Sequence, residues 1–154
     1  MSKLFEYLCP VVLLAIFAAL YFCRIDVPSL ADPTESVPTE ISRQMLAGLQ
    51  QAEPANLVLP SLNGIIIIDR DTLHHWSQIG SFELFGVNNL SARFFSGIAA
   101  LFIILLVFFS AGPPLGSLTG FYSALITGSS LIFLLLSQRA TGTMLFIALL
   151  LASL

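Results

Sequence analysis

Charge is what this 154-residue chain has least of. Six Lys and Arg stand against nine Asp and Glu, together 10% of the residues, where a soluble domain carries about a quarter. That deficit excludes an ordinary water-soluble domain. A net charge of −3 also argues against nucleic acid, because no basic patch is available to neutralise phosphates. Cysteine is nearly absent. Cys9 and Cys23 fall in one apolar block, and a helix would hold them roughly 21 Å apart, too far for a bridge within the chain. They read as small buried hydrophobes. There is no phosphate loop, no catalytic Ser/His/Asp set and no haem-attachment motif. Beyond the single pair His74-His75, no Cys/His/Asp/Glu cluster has metal-site spacing.

What is present is hydrophobic: 56% of the residues, with a mean hydropathy of +0.92. All charged residues except Lys3, Glu6 and Arg139 lie between Arg24 and Arg93. The pattern predicts an all-α integral membrane protein, a single membrane domain over 1–154 with about four transmembrane helices. Amphipathic juxtamembrane helices are expected in its first outer loop. The spans are expected at 4–23, 94–111, 118–136 and 141–154, with the outer loop over 24–93.

The first span would reach about 30 Å as a helix, the thickness of the hydrocarbon core. Leu20-Tyr21-Phe22 stands where a signal peptide needs small residues, so it is expected to be a retained anchor. In the outer loop Ile41, Met45, Leu46 and Leu49 recur at helical spacing from about Pro38, which predicts an amphipathic helix lying along the membrane interface. A second stripe, Leu73, Trp76, Ile79, Phe82 and Phe85, predicts another helix, with Trp76 in the aromatic belt. Gly86 ends it, and Asn88-Asn89 opens the next. The Pro113-Pro114 pair is expected to halt the second span, and Gly120, Ser123 and Gly128-Ser129-Ser130 offer small surfaces for helix packing. The last segment covers only about 21 Å from Thr141, so a partner or the far interface is expected to cover its end. Lys3 and the positive-inside rule place the N-terminus in the cytoplasm, with 26–93 and Arg139 on the periplasmic side of the inner membrane.

Five blocks in order resemble one family. They are Pro33-Thr34-Glu35 leading to Glu40, Arg43 and Met45-Leu46; Leu59-Pro60-Ser61-Leu62-Asn63-Gly64; Asp69-Arg70-Asp71-Thr72-Leu73-His74-His75-Trp76; Leu84-Phe85-Gly86-Val87-Asn88 with Ala92-Arg93; and Leu136-Ser137-Gln138-Arg139-Ala140-Thr141-Gly142-Thr143-Met144. Together they look like the N-terminal part of the polyprenyl-phosphate-dependent glycosyltransferases of the GT-C fold, in the aminoarabinose and protein mannosyl transferase branch. The resemblance implies a catalytic base or metal-assisting carboxylate in the first block and a second Asp in the last. Here those positions are Thr34 and Thr143. A Thr hydroxyl takes no proton near neutral pH and holds a divalent cation poorly. Asp32 could replace the first acid only with a two-residue shift, whereas Glu35 and Glu40 keep the family spacing. The resemblance puts Arg70 where a Lys faces the lipid phosphate, a change that keeps the charge, and Asp71 and Thr72 where two prolines stand.

The reading that results is a non-catalytic accessory or structural subunit of a larger membrane complex, derived from a truncated module of this family. Energy-converting and pigment-bearing assemblies are among the candidate complexes. The alternatives are a split glycosyltransferase using a polyprenyl-phosphate-linked sugar donor, and a polyprenyl-lipid binder. No catalytic residue and no metal is expected. Partners would be other membrane subunits and lipids, with Arg70 and Arg43 as candidates for gripping a lipid phosphate or polyprenyl phosphate. His74 or His75 could ligate a pigment, but aromatic residues occupy these positions in the family, so an interfacial aromatic role is preferred. Glu40 and Arg43 are expected to form a surface i,i+3 pair.

Overall fold

The computed structural model describes residues 3–23, 33–50, 61–62, 65–67 and 72–153. These residues are almost entirely helical: α1 (Lys3–Phe22), α2 (Pro33–Gln50), α3 (Thr72–Phe85), α4 (Asn89–Leu115), α5 (Ser117–Ser129), α6 (Leu131–Ser137) and α7 (Thr143–Ala152). The one exception is a two-stranded antiparallel ladder, β1 (Ser61–Leu62) against β2 (Ile65–Ile66), which pairs Ser61 with Ile66 and Leu62 with Ile65. The chain divides into two compact units. One holds residues 1–23, 96–138 and 143–154, and the other 24–95 and 139–142.

The first unit is largely apolar. Cys9, Leu13, Phe17 and Tyr21 repeat every fourth residue, so they form one row along α1, and all are buried. Against them pack Ala99, Ala100, Ile103, Ile104 and Phe108 of α4, Ala124 of α5, and Met144 and Ala148 of α7. Leu8, Val11, Ile16 and Leu20 of α1 face outward, as do Phe146, Leu149 and Leu150 of α7. A unit that is apolar inside and out is what a bilayer solvates. One described helix, α4, is long and apolar enough by itself to cross a membrane.

Two boundaries differ from the sequence expectation. The Pro pair does not halt α4, which runs on to Leu115. Proline already holds a helical φ, and the cost is confined to the two bonds that its missing N–H groups would have made to the Phe109 and Ser110 carbonyls. The stop is Gly116, at φ 98, whose N–H bonds the Gly112 carbonyl at 2.8 Å in the manner of a left-handed cap. The segment expected as one span over 118–136 is two helices, α5 and α6, bent by 68° at Ser130, which is extended (φ −64, ψ 136). The break frees carbonyls that a continuous helix would satisfy. The Ser130 N–H takes the Thr127 carbonyl at 3.3 Å, and the Tyr21 hydroxyl donates to the Gly128 carbonyl at 3.0 Å. By length and composition the described residues hold one long apolar helix, one bent pair, and the shorter apolar stretches Leu8–Phe22 and Thr143–Ala152.

The second unit gathers α2, the β ladder, α3 and the start of α4. Ile41, Met45 and Leu46 of α2 are buried with Ile79 and Phe82 of α3, Ala92 of α4, and Ala140. The apolar stripe of α2 is therefore consumed inside the unit, covered by protein and not by lipid as its amphipathic pattern suggests. The helix also begins five residues earlier than Pro38, with Pro33 in its first turn, where a missing N–H costs nothing. Helix α3 is arranged unexpectedly. It buries His74, His75, Gln78 and Ser81 beside Ile79 and Phe82, and leaves Leu73, Trp76 and Leu84 outside at 55%, 53% and 74% exposure.

The turn from α3 to α4 is tightly pinned. Gly86 (φ 76) closes α3, with its N–H on the Phe82 carbonyl at 2.9 Å. Asn88 and Ser91 then cap α4 reciprocally. The Ser91 N–H donates to Asn88 Oδ1 at 2.8 Å and the Asn88 N–H donates to Ser91 Oγ at 3.0 Å, a capping-box arrangement. The Ser81 hydroxyl adds a bond to the Ser91 carbonyl at 2.7 Å.

Candidate functional site

The polar side chains of the second unit converge between α2, α3 and the first turns of α4. Gln78 is the hub. Its Nε2 donates to the Ala92 carbonyl at 2.9 Å, with Thr39 Oγ1 at 3.4 Å. A carbonyl can only accept, so this bond fixes which end of the amide is nitrogen and turns Oε1 toward Ser42, 2.6 Å away. At that distance two lone pairs would repel, so the single Ser42 proton lies on this contact. Ser42 Oγ then accepts from His75 Nδ1 at 2.8 Å, which assigns the proton on His75 to Nδ1. The Pro38 carbonyl also lies within 3.0 Å of the same hydroxyl.

A Ser–His contact is the outline of an activated nucleophile, but here the serine proton is committed to an amide oxygen and the histidine presents a donor. His75 at Nδ1 is not the base that nucleophilic catalysis requires. Ser42 and His75 are also fully buried, with no approach for a substrate. The group works as a clamp that joins α2, α3 and α4.

Glu35 makes the second buried contact. Its Oε2 meets Arg93 Nη2 at 2.6 Å, with both side chains almost completely enclosed. The guanidinium engages that carboxylate oxygen inside the unit, where a general base needs it free to reach a substrate proton. Thr34 beside it is exposed, and so is Thr143, the first residue of α7 in the other unit. The family-equivalent positions Thr34, Glu35 and Thr143 therefore comprise two surface hydroxyls and one ion-paired acid. Glu40 and Arg43 form the expected surface pair through two bonds of 2.6 and 2.7 Å. The Arg43 hydrogen bonds lower the Glu40 carboxyl to about 2 against the opposing effect of burial, with a further contribution from Gln44, and raise Arg43 in turn. Arg43, expected to grip phosphate, spends its guanidinium on this pair. Arg70, Asp32, Asp69 and Asp71 lie outside the described residues. Among the described residues no group of three or more His, Cys, Asp and Glu is placed to hold a metal.

His74 and His75 correct the expectation of an interfacial aromatic role. Both rings point into the unit, 6.0 Å apart between centroids, because α3 turns its polar side inward. Ser42, Gln78, Thr39 and Ser81 were not singled out by the sequence. The available signal was weak: His75 and Gln78 are spaced i,i+3 opposite the Leu73–Trp76 stripe, a pattern that ordinarily marks a solvated face.

Comparison with known proteins places this geometry in a family. Residues 69–154, more than half of the chain, match the family described as dolichyl-phosphate-mannose-protein mannosyltransferase. The chain belongs to this family. An uncharacterized protein of Aquifex aeolicus (strain VF5) is 28% identical over 142 residues, covering 92% of this chain and 26% of that protein. The undecaprenyl phosphate-alpha-4-amino-4-deoxy-L-arabinose arabinosyl transferase of Shewanella sediminis (strain HAW-EB3) is 31% identical over 94 residues, covering 59% of this chain and 16% of that protein. The chain thus spans about a quarter of the length of the first relative and about a sixth of the second. No solved structure matches. The GT-C glycosyltransferase resemblance read from the five sequence blocks stands on these findings, and so does the membrane character of the chain.

Proposed function

We propose that this member of the mannosyltransferase family is a non-catalytic module: its helices and outer unit serve as a structural subunit of a larger membrane assembly. The observation that carries this reading is the state of the first motif. Its surviving acid, Glu35, is sequestered by Arg93 at 2.6 Å, and its neighbour Thr34 offers only a hydroxyl. In this reading α1, α4, the α5–α6 pair and α7 are membrane-embedded in a multi-pass arrangement. The N-terminus is cytoplasmic and the second unit lies on the periplasmic side.

A second reading is favoured by the match to the aminoarabinose transferase and by the short share of it that is covered. The chain would be one part of a glycosyltransferase that draws its donor from a polyprenyl phosphate, the acidic groups being supplied from elsewhere. One experiment separates the two. The purified membrane protein, with whatever subunits accompany it, is assayed for sugar transfer from polyprenyl-phosphate-linked donors, and native mass spectrometry identifies its companions. The structural reading expects companion subunits, no transfer, and no change on Thr34→Val. Transfer that Thr34→Val or Arg43→Ala reduces in a normally folded protein would overturn it in favour of the second.

A further inference from the structure

One torsion makes the bend between α5 and α6. Ser130 combines a helical φ of −64 with an extended ψ of 136. Rotating that ψ by about 180° would join residues 117–137 into one helix of about 31 Å, long enough to cross the hydrocarbon core. Serine is tolerated inside helices, and both Ser129 and Ser130 are exposed. The Leu134 N–H already bonds the Ser130 carbonyl at 3.0 Å with helical spacing. What opposes straightening lies on α1. In a continuous helix the Gly128 carbonyl would accept from the Ile132 N–H. In the bend the Tyr21 hydroxyl stands in for that donor at 3.0 Å. The rest of α1 closes on both arms around this bond. Phe17 approaches Gly128 so nearly that a Cβ there would stand 2.5 Å from its ring. Tyr21 stacks on Phe17 with centroids 5.4 Å apart and meets Phe133 of α6 at 6.0 Å. Just past α6, the Gln138 amide donates to the Leu20 carbonyl at 3.3 Å.

We propose that the α5–α6 bend is a two-state hinge latched by Tyr21, and that releasing the latch lets the two helices join into one straight helix. Without the hydroxyl, the bent form leaves the buried Gly128 carbonyl unsatisfied, at a cost that the straight form avoids through Ile132. Straightening in turn swings Phe133 and Gln138 away from α1, so the latch and the aromatic packing act together. Every group in this device belongs to the first unit, and its working does not depend on whether the chain catalyses anything.

Spin labels read the bend. They are attached at Leu118→Cys and Leu135→Cys, both exposed positions, in the full chain carrying Cys9→Ala and Cys23→Ser and reconstituted in nanodiscs. With the helical rise and a bend of 68°, straightening moves the two sites apart by about 4 Å. Pulsed electron paramagnetic resonance should give mainly the shorter distance for this parent. Tyr21→Phe keeps the ring and should enlarge the longer-distance population roughly two- to tenfold, the worth of one hydrogen bond. Adding Leu131→Pro should return the shorter distance. Proline suits the first turn of α6 and the extended residue before it, but it breaks a continuous helix there. Leu131 is 74% exposed, so little packing is lost with it. Ser129→Ala/Ser130→Ala, confined to exposed positions, should shift the parent in the same direction through helix propensity, and it decides the matter should Tyr21→Phe fail to fold. An unchanged distance in either folded variant overturns the hinge. A longer distance in Tyr21→Phe that Leu131→Pro leaves in place overturns it too, since loosened packing would then be the cause.

Discussion

Glu35 and Arg93 form a buried ion pair. Breaking a buried pair by removing one partner costs about 3–5 kcal/mol, whereas replacing both with apolar side chains of similar volume is close to neutral. Thermal melting of the solubilised chain should therefore show Glu35→Leu strongly destabilised, and Glu35→Leu/Arg93→Leu substantially recovered. The surface pair behaves otherwise. Glu40 is lowered from its ordinary 4.5 to about 2, so its contribution is fully present above the ordinary value and is lost as the pH falls through the lowered one. Glu40 and Arg43 are 39% and 51% exposed, which screens the pair to a few tenths of a kcal/mol. Glu40→Gln should lower stability by about that much at neutral pH, and the difference from the parent should vanish between pH 4.5 and about 2. A difference that grows in acid would contradict the assignment.

At the scale of elements, two helical glycines make opposite predictions. A Cβ on Gly120 of α5 would stand 2.7 Å from the Phe108 carbonyl oxygen and 2.9 Å from the Gly112 Cα. Both are backbone atoms of α4 and cannot swing aside. Gly120→Ala should cost about 1–3 kcal/mol through overpacking. Gly80 of α3 faces open space without a positive φ, so Gly80→Ala should gain roughly 0.5–1 kcal/mol from helix propensity. Denaturation of the two variants beside the parent checks both signs. The same contrast shows what the sequence could and could not convey. The core face of α2 was legible because Ile41, Met45 and Leu46 follow the helical period, and Gly86 announced the end of α3. The inward polar face of α3 was not, because His75 and Gln78 acquire their meaning only from Ser42 and Ala92 on other helices. The break at Ser130 was equally hidden. Serine is common inside helices, and the hydroxyl that relieves the freed Gly128 carbonyl comes from Tyr21, 107 residues away in sequence. The pairing of Glu35 with Arg93 joins two blocks of the family pattern, yet no periodicity links them.

For the whole molecule, the division into two units has a measurable counterpart. The groups around Gly120 belong to one unit and those around Glu35 to the other, with no contacting residue in common. Perturbations at sites without shared partners add to within about 0.5 kcal/mol. Combining Gly120→Ala with Glu35→Leu should give the sum of the single effects, and hydrogen exchange should show each change loosening its own unit. A large coupling energy would mean that the units unfold as one body.

The knot of Ser81, Gly86, Asn88 and Ser91 has a mechanical meaning. A joint of three residues would ordinarily act as a free hinge, but here its amides and hydroxyls are tied on both sides of the bend. Such an elbow is stiff. Any tilt or rotation imposed on the first turn of α4 is delivered to α3 as torque, and the Gln78 clamp passes it on to α2.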